Sequence, residues 1–264
     1  MVPLIVPVAN AFGVDPLHLG IIFAAVAAAL QLGAGNAIND YFDREIDKIG
    51  KPLRPIPSGR ISPANAKIYA AALFALSLVF AGMINIYAFL LAAFNIFVSY
   101  IYSAHFKKTP YGHFVVSYMI GSMPIFASLI AEKIPPAIFL LAGMNFFANL
   151  MREVAKGIED YKADKKLGAR TLEIEFGKEK AAAVGIGAAA IGILLSPLPI
   201  YFGLNFNYIF VSAIADLVFA YCAYLLWKSR EETLVEAETT GEKVQKYSKL
   251  GMIISLVAFA VGIL

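Results

Sequence analysis

The stretch IIFAAVAAALQLGAGNAINDYFDREIDKIG, residues 21 to 50, joins a long apolar run to a group of carboxylates. Its first half, from Ile21 to Gly35, is mostly apolar. In its second half, five Asp and Asn side chains fall within one arc of about 100° if the stretch is helical. These residues are Asn36, Asn39, Asp40, Asp43 and Asp47. An ordinary solvated helix end would scatter its charges around the axis, so the pattern predicts a membrane helix with one acidic face.

The composition of the chain is that of an integral membrane protein. Of 264 residues, 59% are hydrophobic and 16% are charged, and the mean hydropathy is +0.70. Soluble domains contain about 45–50% apolar and about 25% charged residues. Apolar runs of about 20 residues, long enough to cross a bilayer, alternate here with charged segments. We therefore predict an all-α, polytopic membrane bundle that forms a single domain over residues 1–264.

The apolar runs predict about nine spans. They lie near residues 2–13, 18–49, 62–83, 86–104, 112–131, 135–158, 178–202, 206–228 and 245–264. The second and sixth spans would extend beyond the bilayer. The first span carries Pro3 and Pro7 and is too short for a regular spanning helix, so we expect it to be short or truncated.

Positive charges fall on alternate connections between these spans. Every Lys and Arg except Lys133 lies in or beside the segments near residues 44–67, 107–108, 152–180 and 228–249. The opposite connections carry only Asp15, Glu132 and Lys133. Because basic loops stay in the cytoplasm, we predict a multi-pass protein of the cell membrane with its active site facing the cytoplasm. Charges of alternating sign over residues 228–249 predict a solvated connector.

The carboxylates near the end of the first stretch favour a metal site. Asp40, Asp43 and Asp47, the first acidic cluster, would repel one another without a cation between them. Hard oxygen ligands suit Mg²⁺, which shares its coordination shell with substrate phosphates. The basic loop KPLRPIPSGR, residues 51–60, follows at once and offers Lys51, Arg54 and Arg60 to phosphate oxygens. Contact with anionic lipid headgroups is the simpler explanation of a basic loop, but the neighbouring acidic face favours a diphosphate.

A second acidic pattern occurs in NFFANLMREVAKGIEDYKADKKLGARTL, residues 145–172. On a helix, Asn149, Arg152, Lys156 and the second acidic cluster, Asp160 and Asp164, share one arc of about 120°. We predict two facing carboxylate stripes that hold Mg²⁺ around a diphosphate. The predicted metal ligands are Asn39, Asp40, Asp43, Asp47, Asp160 and Asp164, of which Asp43, Asp47, Asp160 and Asp164 are also predicted to be catalytic. Asn36, Arg152 and Lys156 are predicted to bind substrate.

This arrangement suits the ionisation of an allylic diphosphate. Metal ions and basic side chains would neutralise the departing diphosphate. An apolar pocket would shield the allylic cation from water, and a bundle of membrane helices would provide a slot for the isoprenoid tail.

The motifs identify a resemblance to the UbiA superfamily of intramembrane prenyltransferases. The NDxxDxxxD motif stands here as NDYFDREID, residues 39–47, and the RPIPSG run covers residues 54–59. The DxxxD motif covers residues 160–164 and is followed by Gly168 and Thr171. The resemblance extends over nearly the whole chain from residue 20. It implies nine helices around a central cavity open to lipid, and Mg²⁺-dependent transfer of a prenyl group. It also implies diphosphate-binding roles for Arg44, Tyr102, Ser103 and Lys108.

The chain departs from the family pattern in three places. Gly157 stands where many relatives carry another Asp before the DxxxD motif. His113 stands where an Asn often follows the Gly of the fourth loop. The Arg-Pro-x-Asn-like start of the first helix is missing.

Within the superfamily, the motifs most resemble those of the archaeal lipid branch. This resemblance implies transfer of a geranylgeranyl group from geranylgeranyl diphosphate to geranylgeranylglyceryl phosphate in ether-lipid synthesis, with membrane lipid as a partner. Surplus basic residues would suit an acceptor that carries a phosphate: Lys162, Lys165, Lys166 and Arg170.

The sequence is also compatible with other functions. One alternative is an aromatic-acceptor prenyltransferase of quinone biosynthesis, of the 4-hydroxybenzoate type. Another is a non-prenyl membrane phosphotransferase, although the pattern of the CDP-alcohol class, which begins with DG, does not occur in the sequence. A transporter would place its acids near the middle of the bilayer. The sequence gives no indication of a nucleic-acid partner and leaves the oligomeric state open.

Overall fold

The computed structural model describes residues 18–131 and 134–263. Within these ranges the chain is helical and contains no strand. The predicted first span, at residues 2–13, lies outside the described residues, as do Asp15, Glu132 and Lys133. The chain divides into two compact units, an N-terminal unit that ends at Lys107 and a C-terminal unit that begins at Lys108.

The N-terminal unit consists of three long helices, α1 (Leu19–Gly50), α2 (Pro63–Gly82) and α3 (Ile86–Ala104). Each begins at a side chain that accepts a free backbone N–H of the first turn, as helix starts require. These capping residues are His18, Ser62 and Asn85. The three helices pack against one another, with Ala34 and Ile38 of α1 buried against Ala70 and Phe74 of α2.

Polar side chains also link these helices within their apolar surfaces. The Ser77 hydroxyl donates to the carbonyl of Ala27 at 2.9 Å, and the Gln31 amide donates to the carbonyl of Ala92 at 3.0 Å. Bonds of this kind satisfy polar groups that have no water to bind inside a membrane. They join α1 to α2 and to α3.

The C-terminal unit contains six α-helices. They are α4 (Gly112–Ser128), α5 (Ala137–Lys166), α6 (Leu172–Phe176), α7 (Lys178–Leu195), α8 (Asn207–Ser229) and α9 (Leu234–Ile263). A short 3₁₀ helix, Leu198–Phe202, joins α7 to α8. Helix α5 is central, because α4, α6, α7 and α9 all pack against it. Its buried side chains Met151, Val154 and Ala155 belong to the largest core of this unit.

The helices confirm the all-α membrane bundle predicted from the sequence. Six of the described helices are long and apolar enough to cross a membrane, namely α1, α2, α3, α5, α8 and α9. Helix α4 has 17 residues, and α7 carries three charged residues in its first turn, Lys178, Glu179 and Lys180. The count of nine spans therefore stays a prediction.

The solvated connector predicted for residues 228–249 is helical from Leu234 onward, and the prediction was wrong for one face of that helix. Helix α9 begins at Leu234, well before the predicted span at 245. One face of its charged half is buried and consists mainly of small residues: Ala237, Thr240, Gly241, Val244 and Ser248. This face packs against α5, where a Cβ added at Gly241 would lie 2.7 Å from the carbonyl oxygen of Ala155. Lys162 of α5 also pairs with Glu238 at 3.0 Å.

Candidate functional site

The first acidic cluster lies in the last turns of α1, as predicted. Asp43 and Asp47 are buried, with 8% and 5% of their surface exposed, and Asp40 is half-buried. Glu45 points away, is exposed, and pairs with Lys48 at 2.8 Å. The helix therefore separates its carboxylates into an inward face and a solvated face.

The basic loop folds back along the end of α1 and brings Arg54 to this cluster. Hydrogen bonds from Lys51 N to the Asp47 carbonyl, at 2.8 Å, and from Arg54 N to the Lys51 carbonyl, at 3.0 Å, reverse the chain. The guanidinium Nη1 of Arg54 then donates to Asp40 at 2.6 Å and to Asp47 at 2.8 Å. One cation thus bridges two carboxylates that are two helical turns apart.

A second cation, Lys107, reaches the same cluster, and the sequence did not single it out. Its Nζ donates to the Asn39 side chain at 2.9 Å and to the Asp43 carboxylate. Lys108, which the resemblance favoured, is exposed, and its carbonyl accepts a hydrogen bond from Arg170 N at 2.9 Å. Two adjacent lysines follow α3, and the 3₁₀ turn Phe106–Lys108 decides which one faces the carboxylates. Sequence alone does not reveal that choice.

The other predicted substrate-binding residues of this unit contact their own segments. Arg44 donates to the Tyr41 carbonyl at 2.8 Å and lies over the Tyr41 ring. Arg60 donates to the Leu53 carbonyl at 2.5 Å, and Ser103 donates to the Ser99 carbonyl at 3.0 Å. Asn36 and Lys51 are exposed, and Tyr102 is half-buried. Binding of substrate by this group stays a prediction.

The second acidic cluster lies near the end of α5, in the C-terminal unit. Asp160 and Asp164 are half-buried, and Asp164 interacts electrostatically with Asp160 and Lys156. About two to three turns earlier on the same helix, Arg152 pairs with Glu153 at 2.6 Å and donates to the Asn149 side chain at 3.2 Å. The structure therefore places Arg152 in a polar network on α5, while Lys156 is exposed.

A buried hydrogen-bonded contact between His113 and Glu173 lies beside the second acidic cluster. His113 Nε2 is 2.9 Å and 3.1 Å from the two carboxylate oxygens of Glu173. The Glu173 side chain is completely buried and lies directly against Gly157 of α5. Two of the three departures from the family pattern, Gly157 and His113, thus meet at Glu173, a residue that sequence reasoning missed. The unusual residues at positions 157 and 113 were the only indication in the sequence that this region differs from the family pattern. No spacing rule connects them to position 173.

Helix α6 carries a second glutamate in a different environment. Glu175 is exposed and accepts from Arg170 at 2.9 Å and 2.7 Å. Hydrogen bonds from that guanidinium lower the pKa of Glu175 below its ordinary value. Glu173 and Glu175 therefore differ in partner and in burial, although only Ile174 separates them.

The oxygen ligands of both clusters fit Mg²⁺ in chemical type. Within residues 18–131 and 134–263, no three acidic, histidine or cysteine side chains come close enough to form a metal-binding set by themselves. In the first acidic cluster, Arg54 bridges the carboxylates of Asp40 and Asp47, and Lys107 pairs with that of Asp43. Mg²⁺ needs few protein ligands, because it usually keeps several waters and takes one or two carboxylates together with substrate phosphates. Asp40, Asp43 and Asp47 are therefore suitable ligands for a magnesium diphosphate.

Comparison with known proteins identifies the family of this chain. The UbiA prenyltransferase family matches residues 1–238. The chain is 36% identical over 250 residues to digeranylgeranylglyceryl phosphate synthase of Methanopyrus kandleri, a match that covers 94% of this chain and 89% of that protein. The chain therefore belongs to the UbiA prenyltransferase family, as its two acidic motifs predicted.

Solved structures show the same fold. One, described as giving "structural and mechanistic insights into the biosynthesis of digeranylgeranylglyceryl phosphate synthase in membranes", superposes with a TM-score of 0.84 at 34% identity and covers 99% of this chain and 91% of that chain. A UbiA homologue from Archaeoglobus fulgidus, bound to GPP and Mg²⁺, gives a TM-score of 0.71 at 22% identity and covers 98% of this chain and 96% of that chain. At that lower identity the likeness concerns the fold alone.

Proposed function

We propose that this protein transfers a geranylgeranyl group from geranylgeranyl diphosphate to geranylgeranylglyceryl phosphate, with Mg²⁺, in archaeal ether-lipid synthesis. The observation that carries the proposal is the first acidic cluster, where Arg54 pairs with Asp40 and Asp47 and Lys107 pairs with Asp43. The match to digeranylgeranylglyceryl phosphate synthase of Methanopyrus kandleri, which covers most of both chains, supports the choice of substrates. In the reaction, the C1–O bond to the diphosphate breaks and its electrons leave with the diphosphate. The glycerol hydroxyl oxygen bonds to C1 and loses its proton.

Arg54 and Lys107 serve the donor diphosphate in this proposal. Both are charged donors that already contact the carboxylates of the first acidic cluster, so they need little movement to bind phosphate oxygens. Hydrogen bonds between such cations and phosphates are shorter and stronger than neutral ones. Mg²⁺, when bound, would neutralise charge on the departing diphosphate, and Asn39, Asp40, Asp43 and Asp47 are the residues that would hold it.

The second acidic cluster is proposed to be required as well. Asp160 and Asp164 supply the same type of oxygen ligand, with Lys156 in electrostatic range and Arg152 on the same helix. Roles for Asn36, Arg44, Lys51, Arg60, Tyr102, Ser103 and Lys108 at the substrate rest on the family resemblance and remain proposals.

We also propose that the chain acts as one membrane domain in the cell membrane, with its active site facing the cytoplasm. The basic segments between the predicted spans support this orientation. A cytoplasmic active site would suit a donor that carries a highly charged diphosphate.

A transfer assay tests the proposed function. Purified full-length protein in detergent receives Mg²⁺ and geranylgeranyl diphosphate with either geranylgeranylglyceryl phosphate or 4-hydroxybenzoate. We expect a prenylated product with the lipid phosphate, and Asp43→Asn is expected to lower kcat/KM by about a hundredfold or more, about 2.7 kcal/mol, while the protein stays folded. The aromatic alternative is not favoured by the named relatives. Preference for 4-hydroxybenzoate, or near-wild-type activity of Asp43→Asn, would show the proposal to be wrong.

A further inference from the structure

We propose that Glu173 supplies, from α6, the carboxylate that α5 lacks at Gly157, and that it acts together with the second acidic cluster. This inference rests on the proposed function, because it concerns how that cluster binds magnesium diphosphate. A Cβ added at Gly157 would lie 2.4 Å from the Glu173 carboxylate carbon and from Oε2, and 2.5 Å from Oε1. The Glu173 carboxylate therefore fills the space that a side chain at position 157 would occupy.

Position 157 lies on the face of α5 that carries the second acidic cluster. At about 100° per residue, the directions of Gly157 and Asp164 differ by about 20°, and those of Gly157 and Asp160 by about 60°. Asp164 interacts electrostatically with both Asp160 and Glu173. A carboxylate held against Gly157 thus adds negative charge to the same face, although it comes from a different helix.

His113 holds Glu173 in this position. Nε2 of His113 lies 2.9 Å and 3.1 Å from the two Glu173 oxygens, so a protonated Nε2 donates to the carboxylate. His113 itself is fixed in the first turn of α4, and 13% of its side chain is exposed. A carboxylate taken out of water without a partner costs several kcal/mol. The imidazole offsets part of that cost, and His113 is therefore a positioning residue.

A purely structural role does not account for Glu173. An apolar side chain at position 173 would fill the space over Gly157 without any buried charge, and such replacements of buried ion pairs are often neutral or stabilising. Glu175 provides the contrast on the same helix, because it is exposed and pairs with Arg170. What Glu173 adds is a negative charge in electrostatic range of Asp164.

Binding of Mg²⁺ with inorganic diphosphate to the full-length protein in detergent, measured by calorimetry, tests the inference. Glu173→Gln keeps the size of the side chain and still accepts a hydrogen bond from His113, but it removes the charge. We expect it to weaken binding by about tenfold or more, as the loss of groups that support metal ligands does. Glu175→Gln removes the same charge from the same helix and is expected to leave binding unchanged. Equal binding by the two variants would overturn the inference.

Moving the carboxylate provides an independent test. Glu173→Ala alone is expected to bind weakly, and Gly157→Asp alone to unfold at a lower temperature, because the new side chain meets Glu173. Combining Gly157→Asp with Glu173→Ala returns a carboxylate to the same place from α5, and we expect near-wild-type binding. A folded double variant that binds no better than Glu173→Ala would overturn the inference. If the double variant does not fold, the comparison of Glu173→Gln with Glu175→Gln still tests the role of Glu173.

These outcomes separate the inference from the proposed function. A wild-type protein that binds magnesium diphosphate through Glu173 but does not prenylate geranylgeranylglyceryl phosphate would contradict only the proposed function. A wild-type protein that carries out the transfer while Glu173→Gln binds normally would contradict only the role of Glu173. A wild-type protein that binds no magnesium diphosphate would overturn the inference as well.

Discussion

Each carboxylate of the first acidic cluster is paired with a cation. Asp40 and Asp47 share Arg54, while Asp43 and Asn39 share Lys107. Three carboxylates close together would repel one another without such partners, since like charges in a partly buried region interact strongly. If Mg²⁺ bound to these carboxylates, Arg54 and Lys107 would become available to bind phosphate oxygens.

Lys107, rather than Lys108, is expected to dominate donor binding. Lys107→Met should raise the KM for geranylgeranyl diphosphate by about tenfold or more, because a charge-assisted hydrogen bond contributes about 1.5–3 kcal/mol. Lys108→Met should have a smaller effect, since the Lys108 side chain is exposed. Steady-state kinetics on both variants measure the difference. Lys48→Met, on the solvated face of α1, is the control.

A larger effect at Lys108 than at Lys107 would contradict the assignment of Lys107 and support the prediction made from the sequence. Equal and small effects at both positions would mean that neither lysine binds the donor diphosphate.

The sequence predicted the acidic residues of this site better than their partners. Asp40, Asp43 and Asp47 share a face because helical spacing is a local property, readable from the sequence. Arg54 was also predicted, since a stiff Pro-rich loop directly follows the helix. Lys107 and Glu173 were missed, because their positions depend on chain reversals that no spacing rule describes.

At the scale of elements, the charged half of α9 shows why a charge pattern alone misleads. Its alternating charges indicated a solvated connector, yet Ala237, Gly241 and Val244 form a buried stripe at helical spacing. Small residues allow two helices to approach closely, and Gly241 lies against the backbone of α5 at Ala155 and Glu159. This contact supports α5 one turn from Asp160.

Gly241→Ala is expected to destabilise the protein, although alanine normally favours a helix. The added Cβ would lie 2.7 Å from the Ala155 carbonyl oxygen, and such overpacking costs about 1–3 kcal/mol. Gly187→Ala in α7 is the matched control, since a Cβ there meets nothing within 4 Å. Alanine at that site should be neutral or stabilising by about 1 kcal/mol or less. Thermal unfolding in detergent compares the two variants, and equal stability would contradict the close packing of α9 on α5.

At the scale of the whole molecule, the distribution of charge predicts how the protein is oriented in the membrane. Composition predicted the all-α bundle, because apolar runs long enough to cross a bilayer usually form membrane helices. Orientation depends instead on where Lys and Arg concentrate, and the Lys- and Arg-rich segments predict that the basic loop is cytoplasmic. The position of that loop determines the compartment from which the donor diphosphate is taken.

Cysteine labelling of the N-terminal unit tests this orientation. Ser58, in the basic loop, and Met83, at the far end of α2, are both exposed. The 20 residues of α2 between them span about 30 Å, the thickness of the hydrocarbon core. The unsubstituted chain is a suitable control, since its single cysteine, Cys222, is buried. We expect a membrane-impermeant thiol reagent to label Met83→Cys in right-side-out vesicles and Ser58→Cys only in inverted vesicles. The reverse pattern would place the first acidic cluster outside the cell and contradict the proposed cytoplasmic site.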